Sequence, residues 1–420
     1  MSAEAARQTK GWRSVADFLA LRRNTVLLLA ALVLAGTGEK LWLVFAPKYL
    51  QTLGAGVFII GLFDALQTLL GAVYAYPGGW LSDRLGQRLS LTLFSAVSLA
   101  GYAVVLLWHH WLAPLLGAFL FLAWSAFSLP VTFSIVATSL ERSRHTMGIG
   151  VQSMVRRIPM MLGPLAGGWL ITHYGWLVGV RYSLVGCILL SLLTLFFQWG
   201  ILEPKSEGVD KGNGVTAGSF WTVVKSFTPS LRELLISDVL IRFCERIPYA
   251  WVVIWAINYG GVSAESYGFL VTIEMVTAMI CYIPVAHFAD KYGRRPFVMI
   301  TFLFFTLFPI SLLWARSFGL LAVAFAIRGL KEFGEPARKA LIIAEAKPEL
   351  RARTYGAYYL IRDCIVTVGA FIGAALWEIR PEFNFIGAAV FGAAGSAWFW
   401  QRIFSKAGKR ALDSPDALSH

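Results

Sequence analysis

The sequence predicts an all-α membrane protein with twelve transmembrane helices, arranged as two pseudo-symmetric bundles of six. Of its 420 residues, 57% are hydrophobic and only 15% are charged, whereas about a quarter of the residues of a soluble domain are charged. Apolar runs long enough to cross a hydrocarbon core of about 30 Å recur along the whole chain. In addition, charged residues, glycines and a proline of the first half return in the second half at a nearly constant spacing.

The apolar runs define the individual helices. Because the runs are continuous, they exclude a membrane β-barrel, whose strands alternate apolar and polar residues over about ten positions. The predicted spans, numbered 1 to 12, cover residues 25–47, 56–77, 89–108, 111–138, 147–171, 177–200, 233–258, 265–288, 296–315, 317–346, 352–377 and 383–403.

Basic residues orient these spans. Lys and Arg concentrate in every second loop between the predicted spans, and loops rich in these residues lie on the cytoplasmic side of a membrane. We therefore expect a multi-pass protein of the cell (inner or plasma) membrane with both termini in the cytoplasm. This topology accounts for the net charge of +13, and no nucleic-acid-binding motif accompanies the basic residues. The predicted organisation is a cytoplasmic N-terminal segment (1–24), a six-helix bundle (25–200), a cytoplasmic linker (201–232), a second six-helix bundle (233–403) and a cytoplasmic tail (404–420).

The two halves repeat each other. The polar hairpin Gly79–Arg88 returns as Ala286–Arg295, and the aspartates of the two copies are 207 positions apart (290 − 83). Six helices per half give both halves the same orientation, so their pseudo-axis runs along the membrane normal. At an offset of 206, Glu39-Lys40 matches Glu245-Arg246, Pro130 matches Pro336, Arg156-Arg157 matches Arg362-Asp363, and Gly163 and Gly167 match Gly369 and Gly373.

The hairpin residues suit a cytoplasmic gate. Glycine permits a tight reversal with positive φ, aspartate can face a helix N-terminus, and arginine can reach a helix C-terminus. Such contacts can hold one conformation and break in the other. An interfacial anchor that follows the positive-inside rule is the alternative. The predicted gating residues of the hairpins are Asp83, Arg84, Gly86, Arg88, Asp290, Lys291, Gly293, Arg294 and Arg295.

With these motifs the sequence resembles the major facilitator superfamily. The first hairpin is similar to that family's G-x-L-x-D-R-x-G-R-[RK] loop between helices 2 and 3, and the second is similar to its echo between helices 8 and 9. Gln87 and Ala286 depart from the pattern, and predicted span 4 carries no charged R-x-x-x-G motif. The resemblance implies a two-bundle fold that carries a solute across the bilayer by alternating access.

Predicted span 5 contains a second family-like motif. Its sequence Gly163-Pro164-Leu165-Ala166-Gly167-Gly168 resembles the G-P-x-x-G-G segment that the family associates with antiporters, although Pro159 stands where another glycine is usual. Gly163 and Pro164 are therefore further candidate gating residues. Close helix packing through small residues is the alternative interpretation.

Eight ionisable residues lie inside the predicted spans. An unpaired charge at the bilayer centre costs about 2.5–3.5 kcal/mol, so eight would exceed a typical folding free energy of about 5–15 kcal/mol. They must pair or line water. We expect Glu39 to pair with Arg156 or Arg157, and Asp363 or Glu245 to pair with the arginines at positions 246 and 362. Static ion pairs are the alternative to a role in solute binding or coupling for these eight residues: Glu39, Lys40, Arg156, Arg157, Glu245, Arg246, Arg362 and Asp363.

Predicted span 10 adds a ladder of charges at i,i+4 spacing, which can pair along one helix face. Pro336 should bend this helix, and we expect a moving part of the transport path, with a self-neutralising ladder as the alternative. For Arg338 and Lys339, a position near the cytoplasmic interface is a further alternative. Glu274 in span 8 is a lone acid in an apolar segment and a candidate proton carrier; Asp64 in span 2 is the other single acid. The ladder pairs are Arg328–Glu332, Lys331–Glu335 and Glu335–Lys339.

These features predict a secondary active transporter and not an enzyme, because no nucleophile set, phosphate-binding loop or metal motif is present. Basic residues crowd the candidate site, so we expect a small anionic, zwitterionic or amphiphilic organic solute, with protons as the coupling ion. Export by antiport is preferred from the span 5 motif, and a proton-coupled symporter that imports an organic anion is the alternative. A receptor or scaffold is a third class. We expect a monomer in the lipid bilayer, with no cofactor, no metal and no nucleic-acid partner.

Overall fold

The computed structural model describes residues 23–85, 87–139, 155–200, 220–346 and 350–404. Within these ranges all the regular structure is helical. The helices of the first half are α1 (Arg23–Leu43), α2 (Ala46–Thr52), α3 (Val57–Leu85), α4 (Gln87–Leu107), α5 (Leu112–Ser139) and α6 (Arg157–Trp199). Those of the second half are α7 (Phe220–Lys225), α8 (Pro229–Arg246), α9 (Trp251–Asn258), α10 (Ala264–Tyr292), α11 (Arg294–Trp314), α12 (Phe318–Leu330), α13 (Glu335–Ala344), α14 (Arg351–Val366), α15 (Val368–Ile379) and α16 (Pro381–Phe399), followed by a π-helical turn at Trp400–Phe404.

These helices account for the twelve predicted spans. Among the described residues, eight helical stretches are long and apolar enough to cross a membrane. One of them, α6, contains two spans, because Gly175 adopts φ 79° and ψ 170° and kinks the helix there. The other three spans are α5, the broken pair α8–α9 and the broken pair α12–α13, of which the last two carry many charges.

The chain divides into two compact units. The first comprises Met1–Gly54 and Leu70–Glu207, and the second comprises Ala55–Leu69 and Gly208–His420. The short segment Ala55–Leu69, which includes the start of α3, therefore packs with the second unit. There Phe58 lies 5.6 Å from Phe371, measured between ring centroids.

Each unit contains one helix broken at an equivalent place. In the first unit, residues 44 and 45 separate α1 from α2, and Pro47 lies in the first turn of α2. In the second unit, residues 247–250 separate α8 from α9, and this turn contains Pro248. Proline cannot donate a backbone hydrogen bond to the preceding turn, which accounts for a break at each site. Positions 44 and 250 are related by the offset of 206 that the sequence repeat predicts.

Glycines of α6 and α15 let each unit bring two helices into backbone contact. A Cβ atom on Gly163 would lie 2.5 Å from the Cβ of Lys40, and one on Gly167 would collide with the Leu41 carbonyl. In the second unit, a Cβ on Gly369 would lie 3.3 Å from the Cβ of Arg246, and one on Gly373 would collide with the carbonyl at position 247. All four contacts repeat at the 206-residue offset. They favour the packing interpretation of the Gly163–Gly167 motif.

We expect Gly167→Ala and Gly373→Ala to destabilise the protein by about 1–3 kcal/mol, because each added methyl group overpacks a backbone contact. The measurement is the thermal unfolding of purified protein in detergent. Gly71→Ala is the matched control, since no atom lies within 4 Å of a Cβ at this helical position. Equal stability of Gly167→Ala and Gly71→Ala would contradict this account.

Candidate functional site: the charged side chains of the second unit

Among the described residues of the second unit, twelve charged side chains that are at most 30% exposed form ion pairs with one another. Six are acids and six are bases, so their formal charges cancel. Eight of them form a connected group, called here the Asp238 network, and the other four form two separate pairs. The network consists of Asp238, Arg242, Glu245, Lys331, Glu335, Arg338, Arg362 and Asp363, and the two pairs are Asp64–Arg246 and Glu274–Arg328.

Asp238 of α8 is the hub of the network. Its carboxylate accepts hydrogen bonds from Arg338 Nη1 of α13 at 2.5 Å and from Arg362 Nη1 of α14 at 3.4 Å. The Tyr358 hydroxyl donates to the same oxygen at 3.2 Å. The side chains of Asp238 and Arg338 are only 1% and 2% exposed. One carboxylate thus ties together three helices that are distant in sequence.

A second branch of the network lies on the same face of α8. Arg242 and Glu245 are four and seven positions after Asp238, which places all three side chains on one side of the helix. Arg242 Nη1 donates to Glu245 at 2.5 Å, and Lys331 Nζ donates to the other oxygen of Glu245 at 2.5 Å. Glu335 lies between Arg338, at 2.7 Å, and Arg242, at 3.4 Å. Each acid of this branch therefore contacts at least two bases.

The two separate pairs lie beside Tyr249, in the turn between α8 and α9. Arg246 Nη2 is 2.8 Å from Asp64 Oδ1 and also donates to the Asp64 carbonyl. Arg328 Nε is 3.2 Å from Glu274 Oε1. The guanidinium carbons of Arg246 and Arg328 lie 4.8 Å and 5.9 Å from the Tyr249 ring centroid. One aromatic ring is therefore shared by two acid–arginine pairs.

The first unit has a smaller cluster of charges among the described residues. Lys40 Nζ contacts Glu39 Oε1 at 2.8 Å, and Glu39 is buried. Arg156 interacts electrostatically with the same carboxylate, as do the Tyr102 hydroxyl and the Cys187 thiol. Glu39 is therefore the centre of the charged site of this unit.

The polar hairpins are only partly described. Gly86 and the side chains of Asp83 and Asp290 lie outside the described part of the structure. Gly293 adopts φ 87° between α10 and α11, as the sequence predicts. Arg294 Nη1 donates to the Ala340 carbonyl in the second half of α13 at 3.5 Å.

Other hairpin side chains contact the surface of their own units. The Arg88 guanidinium lies 5.9 Å from the Trp199 ring. Arg84, Lys291 and Arg294 are exposed. These contacts are compatible both with a gate and with an interfacial anchor.

Comparison with known proteins establishes the family. The family model described as "Major Facilitator Superfamily" matches residues 27–260 and 234–417. The chain belongs to the major facilitator superfamily. It is thus a multi-pass membrane transport protein and not an enzyme, and it has the two-bundle, twelve-helix fold of this superfamily.

Relatives and solved structures agree with this assignment. The chain is 25% identical over 369 residues to an uncharacterised MFS-type transporter of Methanocaldococcus jannaschii, covering 85% of this chain and 89% of the relative. It is 25% identical over 396 residues to the multidrug resistance protein MdtG of Citrobacter koseri, covering 91% and 94%. Among solved structures, the nucleoside transporter NupG matches with a TM-score of 0.77 at 12% identity, covering 90% of this chain and all of that one. The human organic anion transporter MFSD10 matches with a TM-score of 0.65 at 16% identity, covering 90% and 99%. At these identities the two structures show the fold alone.

Within this superfamily fold, some predicted pairings are confirmed and others are wrong. Arg362 contacts Asp363 at 2.7 Å, as expected. Glu245 was expected to pair with position 246 or 362, but it contacts Arg242 and Lys331. In the first unit, Lys40 makes the ion pair with Glu39, whereas Arg156, one of the two predicted partners, only interacts with this carboxylate electrostatically.

The predicted ladder of span 10 is largely replaced by contacts to other helices. The helix stops at Leu330 and resumes at Glu335, one residue before Pro336, so the i,i+4 geometry is lost across residues 331–334. Arg328 reaches Glu274 of α10, which is therefore not a lone acid. Lys339 keeps its predicted contact with Glu335, at 3.4 Å. Lys331 reaches Glu245 of α8, and Glu332 also makes contacts within the structure.

Sequence reasoning missed the hub itself. The sequence predicts no pairing for Arg338, yet its side chain is among the most buried of the described residues. Asp238 and Arg242 lie four residues apart inside predicted span 7, and this i,i+4 pair in a membrane helix is the signal that could have revealed them. The roles of Tyr249 and Tyr358 have no comparable signal, because tyrosine is common at membrane interfaces.

We expect Asp238→Asn or Arg338→Gln to destabilise the protein by about 3–5 kcal/mol, because each leaves a buried charge without its partner. The double variant should cost less than the sum of the two single variants, since the pair is lost together. Thermal unfolding of the purified protein measures both effects. Arg316→Gln is the matched control: its pair with Glu382 is 48% and 41% exposed and should contribute about 0–1 kcal/mol. Strictly additive losses would show that the two buried charges do not stabilise each other.

Proposed function

We propose that this protein is a secondary active transporter of a small anionic, zwitterionic or amphiphilic organic solute, driven by protons and working by alternating access. The observation that carries the proposal is the group of paired charges buried within the membrane helices of the second unit. Membership of a transporter superfamily supplies the reaction class. The charged residues of the second unit are the basis for the proposed charge of the solute and for the proposed coupling to protons.

Packing these helices together does not require so many buried charges. Replacing a buried ion pair by packed apolar residues is often neutral or stabilising, so twelve ionised side chains in one unit are an expensive way to hold helices together. Their exposure also differs. Asp238 is closed off, whereas Asp363 at the edge of the same network is 30% exposed. A transport site needs both parts: buried charges that fix the geometry, and more exposed charges that can contact a solute.

Glu274 and Glu39 are the acids best placed to carry a proton. Each lies inside a membrane helix and is buried, and Glu274 forms an ion pair with Arg328 while Glu39 forms one with Lys40. A carboxylate held by one principal base can be neutralised with less disturbance than Asp238, which holds several bases. The other predicted coupling acids, Glu245 and Asp363, belong to the network.

Export is the preferred direction. It is supported by relatives named multidrug resistance proteins, whereas helix packing accounts for the span 5 motif. The alternative is a proton-coupled symporter that imports an organic anion, and the several partly exposed arginines of the second unit support it. We further propose that both termini are cytoplasmic, that the protein works as a monomer, and that the two hairpins gate its cytoplasmic side.

Transport assays in proteoliposomes test the reaction class and the direction. We expect an imposed pH gradient to drive an organic solute across the membrane, uphill against its own gradient. Movement of the solute opposite to the proton gradient identifies an antiporter, and movement with it identifies a symporter. A purified, folded protein that moves no candidate solute under a gradient of either sign would refute the transport proposal.

We expect Glu274→Gln to remove proton-driven accumulation and to retain solute exchange between loaded vesicles, because the variant lacks the titrating group but keeps a polar partner for Arg328. Glu265→Gln is the matched control. This glutamate lies in the first turn of the same helix, α10. Proton-driven uptake by Glu274→Gln at the wild-type rate would exclude this acid as the carrier.

We expect Asp83→Asn and Asp290→Asn to slow transport by about tenfold or more with little change in melting temperature, because a gate contact contributes about 1.4 kcal/mol or more to one conformation. The initial rate of uptake and the thermal unfolding curve are measured on the same preparation. An interfacial anchor predicts the opposite pattern, with normal turnover of whatever protein reaches the membrane.

A further inference from the structure

Tyr249 presents an exposed aromatic ring beside two arginines in the second unit. It lies in the turn between α8 and α9 and is 42% exposed. The Arg246 and Arg328 guanidinium carbons lie 4.8 Å and 5.9 Å from its ring centroid. Because a charge that faces hydrocarbon is costly, an open ring next to two cations indicates a water-accessible recess and not a lipid-facing surface.

Each of the two arginines pairs with an acid that is more buried than the arginine. Asp64 and Glu274 are 2% and 6% exposed, whereas Arg246 and Arg328 are 14% and 11% exposed. Each acid uses only part of its partner, since a guanidinium has five N–H donors. The Nε of Arg246 is buried and has no hydrogen-bond partner in the described part of the chain. Arg328 also donates to the Tyr267 hydroxyl, and each guanidinium still has more N–H donors than these contacts use.

The arginines of the Asp238 network do not offer the same opportunity. Arg338 donates to Asp238 and to both oxygens of Glu335, and it is almost fully buried. Arg362 donates to Asp238 and Asp363. These guanidinium groups are occupied by the acids of the protein, whereas Arg246 and Arg328 have one carboxylate partner each among the measured ion pairs.

We propose that Arg246, Arg328 and Tyr249 form a recognition site for an aromatic carboxylate, in which Asp64 and Glu274 are positioning residues. This inference rests on the proposed transport function and specifies its solute. Arginine binds carboxylates through two parallel hydrogen bonds, and an aromatic ring of the ligand can pack against Tyr249 or stack on a guanidinium plane. The two buried acids orient the arginines and cancel part of their charge. The ligand is then held firmly enough to be selected and weakly enough to be released.

Isothermal titration of the purified full-length protein with benzoate tests this site. Benzamide is the matched ligand control, since it has the same ring and shape without the charge. We expect benzoate to bind and benzamide to bind at least about tenfold more weakly, as a lost charge-assisted hydrogen bond predicts. Equal binding of the two ligands, or no binding of benzoate, would overturn the proposal.

Variants separate the roles of the residues. We expect Arg246→Gln and Arg328→Gln each to weaken benzoate binding by about tenfold or more, and Tyr249→Ala to weaken it while Tyr249→Phe preserves it. Glu274→Gln should bind benzoate more tightly than the wild type, because the variant keeps a polar partner for Arg328 but no longer cancels its positive charge. A structural role alone would give weaker binding in this variant.

Arg316→Gln is the control for a stacked arginine outside the site. The Arg316 guanidinium lies 4.5 Å from the Trp255 ring and pairs with Glu382, and its loss should leave benzoate affinity unchanged. Each variant is first shown to be folded at the temperature of the titration by a cooperative thermal unfolding transition above that temperature. Unchanged benzoate affinity in both arginine variants of the site, or weaker affinity in folded Glu274→Gln, would overturn the proposal. A protein that transports other solutes but binds no benzoate would overturn this inference alone, whereas one that binds benzoate and transports nothing would overturn the transport function.

Discussion

The interaction between the Asp238 carboxylate and its arginines is the constraint on which the second unit depends. A single ionised acid in a membrane helix would be neutralised or expelled, because water is absent and desolvation is costly. Here Arg338 and Arg362 approach from two other helices, and the cost is offset only when all three helices are in place. The network therefore couples the folding of α8, α13 and α14, and it fixes the positions from which the less buried charges of the unit project.

Backbone geometry repeats between the two units more faithfully than charge does. The glycine contacts of Gly163 and Gly167 recur in Gly369 and Gly373 against residues at the same 206-residue offset. Glu39 and Glu245 occupy matching positions, yet Glu39 contacts its neighbour in sequence while Glu245 contacts Lys331 of a distant segment. The shared packing accounts for a common scaffold. The different partners allow the two units to carry different chemistry, with one compact acid site in the first unit and an extended network in the second.

Features that depend on residues close together in the sequence could be predicted, and contacts between residues far apart in the sequence could not. Periodic apolar runs, the glycine at position 293 and the adjacent pair Arg362–Asp363 depend on local sequence, and the structure agrees with them. The ladder of span 10 fails because it assumes a continuous helix, and the helix breaks at residues 331–334. Glu274 has no partner nearby in the sequence because its partner, Arg328, comes 54 positions later (328 − 274). A long arginine side chain can reach across helices, and no one-dimensional pattern specifies which acid it meets.

The sequence by itself determined the membrane class, the number of spans, the duplication and the superfamily, because these depend on composition, on apolar length and on short motifs. It also determined that the charges inside the spans had to be paired or wetted, since their transfer cost exceeds what folding supplies. Only the tertiary structure decided which charges are closed off around Asp238 and which remain open beside Tyr249. That distinction depends on the burial of side chains from helices far apart in the chain, and burial is a property of the packed molecule.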